Sequence, residues 1–154
     1  MRAFATPFLL LLLAPPLLHG QSRDQTFAFL AGELHALASK DYYLREVSLS
    51  PDGQRFTFRN GFRGKPERSL VIPLEQVDIF YVTDHHPTGC DQYDLEVRSR
   101  GRDGAFFLNG SPFRGQKTLV KGLQSERKAK ALDQAFNRLI ELATGRKPLF
   151  PKGD

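Results

Sequence analysis

Residues 84–91 (DHHPTGCD) bring together side chains that can bind a metal ion. The candidate ligands are Asp84, His85, His86 and Cys90. Carboxylate, imidazole and thiolate groups are all sound ligands for zinc or copper. The spacing matches no known ligand pattern, and the proline and glycine between these residues are typical of a turn. A metal site in this segment is therefore one hypothesis, and a polar hairpin loop with exposed histidines is the alternative.

The same segment raises the question of a thiol enzyme. The Cys90 thiolate would need His85 or His86 as a base within hydrogen-bond reach, and a third group to orient that base. The chain has no nucleophile elbow, no HExxH motif, no glycine-rich phosphate loop and no protease cysteine signature. We therefore expect a protein that is not an enzyme and needs no cofactor. A small metal-dependent or thiol enzyme is the alternative.

A second candidate is the stretch 55–65, in which cationic and aromatic side chains alternate. In a strand, Arg55 and Arg59 would share the outer face while Phe56 and Phe58 point inward. The predicted ligand-binding residues are Arg55, Arg59, Arg63, Lys65 and Arg68. Such a basic face would bind an anionic ligand or a component of the cell envelope. The alternative is a solvated strand face above core phenylalanines.

The N-terminus has the pattern of a secretory signal peptide. Arg2 precedes an apolar run over 8–18, which is too short to span a bilayer as a helix. Residues 1–20 are predicted to be a cleaved signal peptide, with an uncleaved anchor as the alternative. The protein is thus expected to be secreted or periplasmic.

Length, charge and cysteine content exclude several classes of protein and of binding partner. The 154 residues suffice for one domain, and 40% of them are hydrophobic, which excludes a disordered chain. The single cysteine excludes an internal disulfide framework and an iron–sulfur ligand set. The net charge of +5 is modest, and with an extracytoplasmic location it argues against nucleic acid as a partner. We expect another envelope or secreted protein as the partner, with membrane-surface contact left open.

Hydrophobic periodicity predicts a helix at each end of the domain. Ser22 and Gln25 form a capping-box pattern before an amphipathic helix over 24–39. Its apolar stripe would pack on the core or, alternatively, dock on a partner. Near the C-terminus, Ser125 is a suitable N-cap, an apolar stripe runs through 129–143, and Gly145 is suited to end the helix.

Between the two predicted helices, hydrophobic residues recur at every second position, which is typical of β-strands. A hairpin is predicted around the Pro51–Gly53 turn, followed by strands over 68–74, 76–83, 93–97, 105–108 and 117–123. Residues 84–92 are predicted to be a loop, and residues 109–116 are rich in turn formers. The predicted fold is α+β, with an N-terminal helix, six to seven short antiparallel strands in a curved sheet or partly open barrel, and a C-terminal closing helix. Residues 22–145 would form this single domain, followed by a flexible tail at 146–154.

This pattern resembles the pleckstrin-homology-like (PH-like) superfamily, and in particular small secreted bacterial domains of unknown function. The resemblance is carried by the hairpin around residues 51–53, the segment 71–79 (VIPLEQVDI) and the helix that starts after Ser125. It implies a shape rather than an activity, and no binding residue is carried over. We predict a non-catalytic binding or scaffolding domain that engages a protein partner. The alternative within the binding class is a module for an anionic ligand.

Overall fold

Two antiparallel sheets and two helices share one hydrophobic core. The computed structural model describes residues 20–85 and 92–147, and of Ile79, Tyr81, Asp84 and His85 it describes the backbone alone. In chain order the elements are α1 Arg23–His35, β1 Tyr42–Leu49, β2 Arg55–Phe62, β3 Arg68–Pro73, β4 Val77–His85, β5 Gln92–Ser99, β6 Phe106–Leu108, β7 Ser111–Phe113, β8 Gln116–Leu123 and α2 Glu126–Thr144. The first sheet has the order β1-β2-β3-β6-β7, and the second has the order β4-β5-β8.

The chain passes from the first sheet to the second at a short 3-10 turn, Leu74–Gln76, between β3 and β4. This turn lies in the segment 71–79 (VIPLEQVDI), where one predicted strand ends and the next begins. The β6–β7 hairpin then returns to the first sheet and pairs with β3 through Leu70 opposite Leu108. The sheets stay open, and the predicted α+β class with a helix at each end is confirmed.

The segment 109–116 contains one more strand than the sequence analysis assigned. Asn109 and Gly110 both have positive φ (51° and 82°), which fits a two-residue hairpin turn of the Asn-Gly type. The turn connects β6 to β7, and Pro112 sits in the latter, at the edge of the sheet, where its missing N–H costs no ladder bond. The described residues therefore form eight strands rather than six or seven.

Helix α1 packs on this chain rather than projecting toward a partner. The capping box is present: the Ser22 hydroxyl accepts from the Gln25 N–H (3.3 Å), and the Gln25 side-chain oxygen accepts from the Ser22 N–H (3.0 Å). Leu30 and Leu34 are fully buried. The core interpretation of this stripe is confirmed, although the helix ends at His35 instead of near residue 39.

Helix α2 connects the two sheets through one aromatic residue. The Phe136 ring meets the Phe56 ring of the first sheet edge-on, at 5.0 Å between centroids. It also stacks on the Phe80 ring of the second sheet at 4.2 Å. The helix is capped by Ser125 and ends at Gly145 with φ 70°, as predicted. No helix in the described ranges is both long and apolar enough to span a membrane.

A buried asparagine on α2 covers the outer edge of β4. The Asn137 Oδ1 accepts from the Phe80 N–H (3.0 Å), and its Nδ2 donates to the Phe80 carbonyl (2.9 Å). The same Nδ2 donates to Asp133 Oδ1 (2.7 Å). Because β5 is the only described strand that pairs with β4, this side chain takes the place of a second neighbouring strand.

Burial raises the pKa of Asp133 to about 6, and the hydrogen bond from Asn137 only partly opposes this. Since the folded-state pKa lies above the unfolded value, the stabilising effect of protonation is complete below about pH 4 and is lost as the pH rises through 6. We expect Asp133→Asn to be more stable than the natural chain at pH 7.5 by about 1 to 3 kcal/mol, with a much smaller difference at pH 4. Urea denaturation at both pH values measures this. A difference that is the same at both pH values would contradict it.

Three predicted features lie partly or wholly outside the described residues. The signal peptide falls almost entirely on residues 1–19, and most of the tail falls on 148–154. Residues 86–91 of the candidate metal segment are also outside. These predictions stay predictions.

Candidate functional site

A cavity of about 910 Å³ opens between the ends of the two sheets. Its walls come from the segment after α1, the start of β1, the end of β2, the start of β3, the C-terminal half of β8 and the first turn of α2. Ligand-binding cavities in proteins commonly enclose about 300 to 1,000 Å³. The cavity is therefore large enough for a small organic ligand.

The alternation of β2 and β3 directs polar side chains into this cavity. On β2 the inward row begins with Phe56 and Phe58, both fully buried, and continues with Asn60. On β3, Arg68 opens the row that Leu70 continues, and it lies directly opposite Asn60 in the register. The core-facing row thus changes from apolar to polar at this end of the sheets.

Three side-chain hydrogen bonds hold the Arg68 guanidinium in place. Its Nε donates to Asn60 Oδ1 (3.1 Å), and its two terminal nitrogens donate to the carbonyls of Thr118 (3.1 Å) and Leu119 (2.7 Å) on β8. The Asn60 Nδ2 in turn donates to the Tyr42 hydroxyl (3.0 Å). Arg68 therefore bridges the two sheets, and the network fixes its plane.

Arg68 still has N–H groups that could donate hydrogen bonds to a ligand. A guanidinium has five N–H groups, and these bonds use three. Among the described side chains, no carboxylate forms an ion pair with it. Burial lowers the pKa of Arg68, opposed by a weaker interaction with Tyr42, and burial raises the pKa of Tyr42 despite the Asn60 hydrogen bond. A guanidinium nevertheless stays protonated in proteins, so a partly desolvated positive charge lies at the cavity wall.

Beside Arg68, three lysines add positive charge to a cavity lining whose other residues are apolar or neutral. Lys65, Lys121 and Lys128 line it together with Arg68, and none of its described lining residues is acidic. A buried carboxylate, Glu96, lines a smaller adjoining recess of about 450 Å³ that Arg68 and Lys121 also line. There it accepts hydrogen bonds from the Gln116 amide and the Thr118 hydroxyl. The large cavity therefore carries four cationic side chains and no carboxylate among its described lining residues, while Glu96 occupies the recess beside it.

The structure brings together only two of the five basic residues that the sequence singled out. Lys65 and Arg68 line the cavity. Arg59 lies on the outer face of the first sheet, where Glu67 (2.6 Å) and Glu46 (3.6 Å) neutralise it. Its ion pair with Glu67 raises the pKa of Arg59. Arg55 lies at the opposite end of β2, near the Asp52 carboxylate, and Arg63 is exposed in the turn after β2.

Sequence reasoning missed Tyr42, Asn60 and Lys128 as parts of the site. The signal for Asn60 was available, because it occupies the inward position two residues after Phe58. Lys128 carried no such signal, since its place at the cavity depends on how α2 packs.

The candidate metal ligands are only partly located. Asp84 and His85 belong to β4, opposite Tyr93 and Gln92 of β5, so the strand extends two residues beyond the predicted 76–83 and the expected loop is shorter. His86 and Cys90 lie outside the described residues. The described part of the chain contains no group of three or more His, Cys, Asp or Glu side chains that could hold a metal ion.

An organised guanidinium, three lysines and a described lining without a carboxylate suit this cavity to binding an anion. The arrangement offers no nucleophile paired with a base among the described lining residues. No protein-family model, no curated protein sequence and no solved structure matches this chain.

Proposed function

We propose that this chain is a non-catalytic binding module that acts outside the cytoplasm and that its cavity binds an anionic ligand. The observation that carries the proposal is Arg68, a largely buried guanidinium with two unused N–H groups and no carboxylate partner among the described residues. A carboxylate or phosphate placed there would accept charge-assisted hydrogen bonds from a donor that is already oriented. The lysines around the cavity would add attraction that salt weakens.

The arrangement of the two sheets and α2 also supports a more specific description of the fold. We propose that the two-sheet core with α2 packed against it is a PH-like arrangement, supported by the step at Leu74–Gln76 and by the contacts of Phe136 with both sheets. The cavity is not at the β1–β2 turn, where phosphoinositide-binding members of that superfamily hold their cations. The anion site proposed here is thus independent of that resemblance.

Docking of another secreted or envelope protein, which the sequence favoured, remains a second candidate. Phe62 and Phe107 are large hydrophobic side chains that stay 51% and 39% exposed, and exposed aromatic residues are common at protein interfaces. Capture of the tagged chain from its own cell envelope tests this, and a reproducible stoichiometric partner would support it.

The anion proposal is tested by titrating the purified chain with acetate and with inorganic phosphate, followed by NMR. We expect shifts at Arg68 and Lys65, and an affinity that falls as ionic strength rises. Arg68→Gln should weaken binding about tenfold, because one charge-assisted contact is lost. Lys65→Gln should weaken it less, and this exposed residue can be changed without risk to the fold.

The matched control is Arg59→Gln, which removes the same charge from the outer face of the sheet. If Arg59→Gln and Lys65→Gln weakened binding equally, the binding would reflect net charge rather than the cavity. An absence of any shift at the cavity with either anion would refute the proposal.

A further inference from the structure

We propose that the ligand is a single-chain anionic amphiphile, an alkyl carboxylate or alkyl phosphate, whose head group binds Arg68 and whose chain lies on the apolar wall of the cavity. This inference rests on the proposed function and names the class of ligand that the same cavity takes.

The cavity has an apolar wall as well as its cationic groups. The apolar lining residues are Leu37, Phe62, Pro66, Leu119, Val120 and Leu123, and the accessible part of this wall is formed by Leu37, Phe62 and Pro66. The side chains from β8 are almost fully buried, while Phe62 at the end of β2 is 51% exposed. The Phe62 ring is tilted against the Tyr42 ring, with 5.3 Å between centroids, so the two rings contact each other at the cavity.

The head-group site and the apolar wall are adjacent. Asn60 accepts a hydrogen bond from Arg68 and donates one to the Tyr42 hydroxyl, and the Tyr42 ring contacts the Phe62 ring of the wall. An anion on the free N–H groups of Arg68 would therefore have the Tyr42 and Phe62 rings on the same side of the cavity for its hydrocarbon chain. A ligand that matches both surfaces must carry a negative charge at one end and a hydrocarbon chain behind it.

Two simpler occupants fit less well. A bare inorganic anion would use the cations but would fill little of the 910 Å³ and leave the exposed apolar surface of Leu37, Phe62 and Pro66 in contact with water. An acidic peptide would bring backbone N–H and C=O groups against that wall, where they would lose their hydrogen bonds to water. A hydrocarbon chain has no such groups, and each buried methylene tightens binding, by about fourfold when burial is complete.

Calorimetric titration of the purified chain with acetate, hexanoate and decanoate tests the inference, at concentrations below those at which micelles form. Because burial in an open cavity is incomplete, we expect about a twofold gain per methylene, or more than about tenfold from hexanoate to decanoate. Decyl phosphate should bind comparably to decanoate or more tightly. Decanol, which lacks the charge, and decyltrimethylammonium, which reverses it, should bind at least about tenfold more weakly.

Two matched serine variants distinguish binding of the hydrocarbon chain to the apolar wall from binding to any exposed hydrophobic surface. Phe62→Ser should reduce decanoate affinity by about fivefold and acetate affinity by less than about twofold. Phe107→Ser, which alters an exposed phenylalanine on β6 that does not line the cavity, should leave both unchanged.

The outcomes distinguish the two proposals. An affinity independent of chain length, with Arg68→Gln still weakening binding, would overturn the amphiphile and leave the anion site standing. Equal effects of Phe62→Ser and Phe107→Ser would also overturn it, because the chain would then not lie on this wall. An absence of binding of every carboxylate and phosphate would overturn the proposed function itself.

Discussion

Replacing Phe136 with Ala is expected to lower the free energy of unfolding by about 3 to 5 kcal/mol. The side chain is fully buried between Phe56 and Phe80, and its ring contacts both. Its removal leaves a cavity at the point where α2 joins the two sheets. The loss of stability therefore has two parts: a large apolar group is no longer buried on folding, and its neighbours lose their van der Waals contacts with it. Since the sheets are open, no strand pairing between them compensates for this loss.

The measurement is equilibrium unfolding in urea, followed by circular dichroism. Phe107→Ala is the matched control, because it removes the same side chain from an exposed position, and we expect it to change stability by less than about 1 kcal/mol. A loss of similar size in both variants would mean that α2 does not join the sheets through Phe136.

The elements of this fold were largely predictable because each carries a local signal. Ser22 and Gln25 mark the start of α1 by hydrogen bonds within one turn, and Gly145 marks the end of α2 by its left-handed conformation. The Asn109–Gly110 pair was an equally strong hairpin signal, and weighing it fully would have predicted β7.

The cavity was less predictable because it depends on contacts between distant parts of the chain. The alternation of β3 places Arg68 on the same face as Leu70 and Ile72, so its inward direction could have been predicted. Its bonds to Thr118 and Leu119 could not, since these residues lie 50 and 51 positions away on the other sheet. Arg59 was predicted to bind a ligand because its acidic partners cannot be recognised in the sequence. Its pairing with Glu46 and Glu67 follows only from the strand register and the turn after β2.

The second large effect is expected for Asn137→Ala, which should lower the free energy of unfolding by about 2 to 4 kcal/mol. The Asn137 amide satisfies both the N–H and the C=O of Phe80 on the unpaired edge of β4. Its loss leaves two buried backbone groups without partners, and each costs about 1 to 3 kcal/mol. Gln134→Ala, at an exposed position of the same helix, should stay within about 0.5 kcal/mol of the natural chain.

Hydrogen exchange at a single amide separates this mechanism from a general loss of packing. If Asn137 replaces a neighbouring strand, the Phe80 amide should lose protection in Asn137→Ala by more than the change in global stability, because its acceptor is gone. Stability should also fall more at pH 7.5 than at pH 4, since Asp133 then loses the hydrogen-bond donor that favours its charged form. Unchanged protection at Phe80 relative to the rest of β4 would show that the strand edge is satisfied in another way. In that case the packing of α2 on the core, and not its amide, holds the second sheet in place.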